Sequence, residues 1–123
     1  MFVKTAGKQI DTIRQFHALI ENFPDMIHSV DESGNIVYVN QTATQLLGYT
    51  KDELIGMNIR QLYPPEILDA VEKGFREVKQ TGEKRVESLF MAHDGTRLPV
   101  EIRTLVIRDD SGAFAQTFTI SRD

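Results

Sequence analysis

Val30-Asp31-Glu32-Ser33-Gly34-Asn35-Ile36-Val37-Tyr38-Val39-Asn40 is the stretch on which the reading of this chain turns. Apolar and β-branched residues end one run at Val30 and open another at Ile36, and residues 31–34 between them have the composition of a hairpin turn. The pattern predicts two adjacent antiparallel strands, residues 26–30 and 35–40. Asn40 then stands where an N-cap stands, ahead of Ala43, Leu46 and Leu47, with Gly48 closing a short helix.

Working outward, Ile10, Ile13, Phe16, Ile20 and Phe23 recur every three or four positions, so residues 8–22 read as an amphipathic helix stopped by Pro24. On the other side, Thr50-Lys51-Asp52-Glu53 has the spacing of a capping box ahead of a second short helix ending at Gly56. Pro64-Pro65-Glu66 opens the longest internal helix, whose Ile67, Leu68, Val71, Phe75 and Val78 share one face and which Thr81-Gly82 ends. Residues 85–92, 97–108 and 114–122 alternate like strands, split by turns at residues 93–95 and 109–112. Two strands, several short helices and a three-strand meander imply an α+β fold, one antiparallel sheet with its helices collected on one face.

Composition narrows the function classes. A chain of 123 residues with 41% apolar content builds one core. Its net charge of -4, with no basic run, argues against nucleic acid as a partner, because phosphate binding needs clustered Lys and Arg. No apolar stretch approaches the roughly 20 residues that span a bilayer and the start is not a secretory signal, so a soluble, cytoplasmic chain without membrane contact is expected. There is no Cys, which excludes disulfides, thiolate metal sites and any cysteinyl adduct. Paired carboxylates at Asp31-Glu32 and Asp109-Asp110 fall in predicted turns, and no nucleophile elbow, phosphate loop or His-Glu-x-x-His occurs, so the chain does not read as an enzyme.

In its short signatures, taken in order, the chain resembles the PAS family with its C-terminal PAC segment, over residues 24–123, leaving residues 1–23 as a flanking helix. The resemblance is carried by Asp25-Met26-Ile27, the opening stretch above, Leu47-Gly48-Tyr49, Glu53-Leu54-Ile55-Gly56, Thr81-Gly82-Glu83, His93-Asp94-Gly95-Thr96, Pro99-Val100-Glu101-Ile102 and the closing Arg122-Asp123. It implies a five-stranded sheet with small helices over one face, enclosing a pocket that holds a cofactor, a metabolite or nothing. It also implies a sensory input domain that binds a small molecule and relays it to a C-terminal output domain such as a histidine kinase or diguanylate cyclase, the alternative being a protein-protein interaction and dimerisation module with no ligand. In the family that final Asp begins a connector, so the chain reads as a piece of a longer protein.

Placing the family's inward positions on these strands, and counting by twos, turns His28, Val30, Val37, Val39, Val100, Ile102, Thr104, Thr117, Thr119 and Ser121 toward the pocket. Val71 joins them from the long helix, and Phe75 and Val78 are expected beside it in the core. A buried hydroxyl or imidazole without a partner costs about 1–3 kcal/mol, so His28, Thr117, Thr119 and Ser121 should bond to one another, to water or to a ligand. Phe114, Phe118, Ile120 and Leu105 face outward, where residues 8–23 of the same chain or of a second copy in a homodimer could cover them. The resemblance puts Val71 where haem-binding members carry the axial His, so haem is not expected. Covalent flavin chemistry of the family is excluded by the lack of Cys, and the cofactor, if there is one, stays unassigned.

Overall fold

The computed structural model describes residues 2–123, with side chains from residue 7 onward. Five strands, β1 (Met26–Val30), β2 (Ile36–Val39), β3 (Glu83–Met91), β4 (Arg97–Arg108) and β5 (Phe114–Arg122), form one antiparallel sheet in the order β2-β1-β5-β4-β3. Between β2 and β3 the chain runs through α2 (Gln41–Leu47), α3 (Lys51–Ile55), 3-10 turns at Ile59–Leu62 and Pro65–Ile67, and α4 (Leu68–Thr81). A long first helix, α1 (Phe2–Glu21), precedes β1. This is the expected α+β arrangement with the helices on one face.

Local chemistry explains the punctuation. Asp31 Oδ1 accepts the N–H groups of Ser33 and Asn35, each at 2.9 Å, which closes the β1–β2 turn. Gly34 sits there at φ +89°, a left-handed backbone that favours glycine, and a Cβ would also press on the Arg60 guanidinium at 2.6 Å and the Asn58 amide at 3.1 Å. The Thr50 and Glu53 capping box starts α3 as the spacing predicts. The double proline does not open an α-helix directly: residues Pro65–Ile67 form a 3-10 turn first, and α4 begins at Leu68.

Asn40 does more than cap α2. Its Oδ1 accepts from the N–H of Ala43 at 3.1 Å and of Ile27 at 2.9 Å, while its Nδ2 donates to the carbonyls of Ile20 and Asp25, each at 3.0 Å. All four capacities of the amide are used, and one buried side chain joins α1, β1 and α2. The core lies between the sheet and α2–α3, around Met26, Val39, Leu47, Leu54 and Leu62.

The structure corrects the phase of β2. His28 pairs with Val39 and Ser29 with Tyr38, but Val30 pairs with Ile36, leaving Val37 as the extra residue of a bulge. Ile36 and Val39 therefore point inward and Val37 is 45% exposed on the outside. Of the two covers expected for the outer sheet face, the helix of the same chain does not take that place. Its stripe does not cover the sheet: Ile13 is 68%, Phe16 60% and Leu19 65% exposed. Among the described residues its contacts with the domain lie in the last turns, where Glu21 accepts from the Tyr38 hydroxyl at 2.6 Å and from Lys51 at 2.9 Å, and the His17 ring meets Tyr38 edge-on.

Candidate functional site

Between α4 and the inner face of β3, β4 and β5 lies a cleft of about 770 Å³, within the range of small-molecule sites. It exists because α4 buries only Val78 against the sheet, while Val71 and Phe75 hang half-buried over the gap. Of the residues expected at a pocket, the structure brings His28, Val71, Val100, Ile102, Thr104, Thr117 and Thr119 together around this cleft.

Four others lie elsewhere. Val30 and Val39 are sealed at 3% and 1% exposure in the core with Ala43, Leu47 and Leu54, because α2 and α3 close over that end of the sheet. Val37 is outside through the bulge already described. Ser121 is fully buried between its strand partners Met26 and Ile102, off the cleft, and its hydroxyl has no partner among the described residues.

The cleft also has walls that the strand count missed. β3 was not phased from the sequence, yet its pairing with β4, Val86 to Ile102 and Ser88 to Val100, puts Lys84, Val86 and Ser88 on the cleft side. That phase follows from β4 by pairing alone. Tyr63 forms the back wall, its ring 5.2 Å from that of Phe90, and burial pushes its hydroxyl's pKa up. Nothing in the local pattern distinguishes Tyr63 from an ordinary semi-buried aromatic.

Across the sheet floor runs a polar row from His28 through Thr119 and Thr104 to Lys84, each pair directly opposed on neighbouring strands. Thr104 and Thr119 share a hydrogen bond of 2.7 Å, and Thr117 Oγ1 accepts the Val30 N–H at 3.0 Å. Lys84 reaches Glu77 of α4 at 2.7 Å, passing under Gly74, where a Cβ would stand 3.0 Å from its ammonium. His28 is 8% exposed and meets Phe90 edge-on at 6.1 Å. Burial lowers its pKa from 6.5 to about 4, so the imidazole is neutral at ordinary pH. Among the described residues no three His, Asp or Glu side chains gather as a metal site.

On the opposite face, Leu105 is 50% exposed and, with Phe118, Ile120, Arg85 and Arg103, lines a shallow groove that α1 does not cover. Among the described residues no helix is long and apolar enough to cross a membrane.

The PAS domain family matches residues 24–123, which takes in the whole sheet, α2 to α4 and the cleft. The chain belongs to the PAS domain family. This PAS domain is 28% identical, over 123 residues, to the methyl sulfide methyltransferase-associated sensor of Methanosarcina acetivorans, covering 98% of this chain and 12% of that protein. It is 31% identical over 74 residues to the oxygen sensor protein DosP of Escherichia coli, covering 60% of this chain and 9% of that one. The chain thus spans about an eighth or less of these curated relatives. The PAS domain of the HTR-like protein from Haloarcula marismortui superposes with a TM-score of 0.83 at 28% identity, covering 98% of both chains. The PAS domain described here is therefore homologous to domains of sensor proteins, and a PAS domain is a sensory and regulatory module.

Proposed function

We propose that this PAS domain is the input module of a cytoplasmic signal-transduction protein, taking a small molecule into the cleft beneath α4 and relaying its occupancy to a C-terminal output domain such as a histidine kinase or diguanylate cyclase. The observation that carries the reading is the cleft itself: a preformed, largely apolar space with a few converging polar groups, roofed by a helix held mainly at its rims. A ligand that binds one position of α4 more tightly than another shifts the balance between them by that difference in affinity. Haem is not the proposed occupant, since Val71, a hydrocarbon side chain lining the cleft, stands at the position to which the family resemblance assigns the axial His. Nucleic acid and membrane have no part in the reading.

A screen of small metabolites by thermal shift, followed by native mass spectrometry of the hits, tests it. A ligand present at 100 times its Kd stabilises by about 2.7 kcal/mol, a rise in Tm of about 10 °C for a domain of this size. A chain that takes up no member of a broad library would instead favour a pure interaction module.

That second reading has its own observation, the open stripe of Ile10, Ile13, Phe16 and Leu19 on α1. With the outer groove around Leu105 and Phe118, it supports a homodimer in which α1 and the outer sheet face are shared. Ile13→Asp should then give a folded monomer by sedimentation velocity, and a wild-type chain that stays monomeric at high concentration overturns the dimer.

A further inference from the structure

Among the described residues, the imidazole on the cleft floor makes no side-chain hydrogen bond. Thr119 is engaged by Thr104, and Thr117 accepts the Val30 N–H, so each of these hydroxyls has at least one bond within the protein. His28 differs. Its ring is nine-tenths buried and meets Phe90 edge-on, and among the described residues no hydrogen bond to either nitrogen is found. A neutral imidazole has one donor and one acceptor, and such groups are seldom left unpaired when buried. His28 lines the cleft, so a molecule lodged there can supply the missing partner.

We propose that the cleft takes a neutral, mostly hydrocarbon molecule bearing one hydroxyl, carbonyl or amide head, and that His28 is the residue that reads that head. The inference rests on the cleft being a ligand site. Its remaining walls support the class. Val71, Phe75, Val100 and Ile102 present hydrocarbon to the body of the molecule. The two cations nearby are engaged: Lys84 with Glu77 at 2.7 Å, and Arg122, 74% exposed at the cleft mouth, with Asp25 at 3.4 Å. A carboxylate would have to break the Lys84 pair or lie uncompensated beside a neutral imidazole. A wholly apolar molecule would leave His28 as unpaired as it is now.

Matched triples test this: 1-naphthol, naphthalene and 1-naphthoate, then 4-phenylphenol, biphenyl and biphenyl-4-carboxylate. Binding is measured by calorimetry, and the His28 ring nitrogens are followed by ¹⁵N NMR. On each frame the alcohol should bind about five- to tenfold tighter than the hydrocarbon, the margin of one net hydrogen bond. The carboxylate should bind weakest, and only the alcohol should move the His28 nitrogen signals. In His28→Phe the margin should fall to about one while the hydrocarbon still binds. Should that variant fail to fold, the comparison on the unaltered chain still decides. Equal binding of alcohol and hydrocarbon leaves the cleft a ligand site but removes His28 as its reader. Tightest binding of the carboxylates overturns the neutral class in favour of Lys84. If neither frame binds in any form, the ligand reading of the cleft falls, and this inference with it.

Discussion

Helices α2 and α3 lie on the same face of the same sheet as α4, yet they meet it differently. Under the first pair the contact is dry: Met26, Val39 and Leu54 are exposed by 1% or less. The 14-residue α4, by far the longer element, buries only Val78. Much of its attachment is polar and at its rims, through Arg60 to Glu72 and Lys84 to Glu77, and half-exposed pairs of this kind are worth about 0–1 kcal/mol each. One end of the sheet thus carries the stability of the domain, and the other keeps an element that can be displaced at low cost.

The sharpest way to break this comparison is to cut into both ends. Leu54→Ala, at a site with no exposure, should cost about 3–5 kcal/mol by urea denaturation, and Phe75→Ala over the cleft only about 1–2. Equal losses would mean that α4 is as firmly packed as α3. Acid sharpens the contrast at the boundary between the two ends. His28 titrates at about 4 in the folded chain against an ordinary 6.5, so the unfolded chain takes up its proton first as pH falls. The stability that neutral His28 contributes is complete above pH 6.5 and is lost progressively toward pH 4, about 3 kcal/mol in all. In His28→Phe that part of the pH dependence should vanish, and an unchanged profile would place the acid sensitivity elsewhere.

Asn40→Ala comes next, at about 2–3 kcal/mol. It frees two N–H groups and two carbonyls at the packed end. Smallest is Glu72→Gln at the open end, expected below 1 kcal/mol in thermal melts. A larger loss would show that the Arg60 pair, which also sets the guanidinium 5.4 Å from the Phe75 ring centroid, fastens α4 after all.

The packed end was the legible one. Period-two runs, a turn rich in Asp, Ser and Gly, a capping box and an N-cap asparagine are local signals, and they placed β1, β2, α2 and α3 to within a residue or two. The single inward residue lost there, Val37, fell to a bulge, which shifts the count by one without leaving a mark in the residues around it. The open end was legible only in part. The phases of β4 and β5 brought five residues to the cleft, and β1 added His28. Tyr63 and the β3 wall depend on long-range pairing and on how far α4 stands from the sheet, and neither is written in any short window. The apolar spacing of α1 predicted a helix but not what covers it, and within one chain the stripe is open.

The attachment of α1 has a mechanical consequence. Twenty residues at 1.5 Å each make a rod about 30 Å long, gripped at its base by the Asn40 amide, Tyr38 and Lys51. The grip is made by β2, by Asn40 just after it and by the start of α3; β2 pairs with β1, and β1 in turn sets His28 opposite Thr119 of β5. A rod held at its base, as the described residues hold this one, amplifies. A tilt of about 5° at that collar would sweep the far tip through about 2.6 Å, half of a helical turn, from a displacement of only a few tenths of an ångström at the sheet.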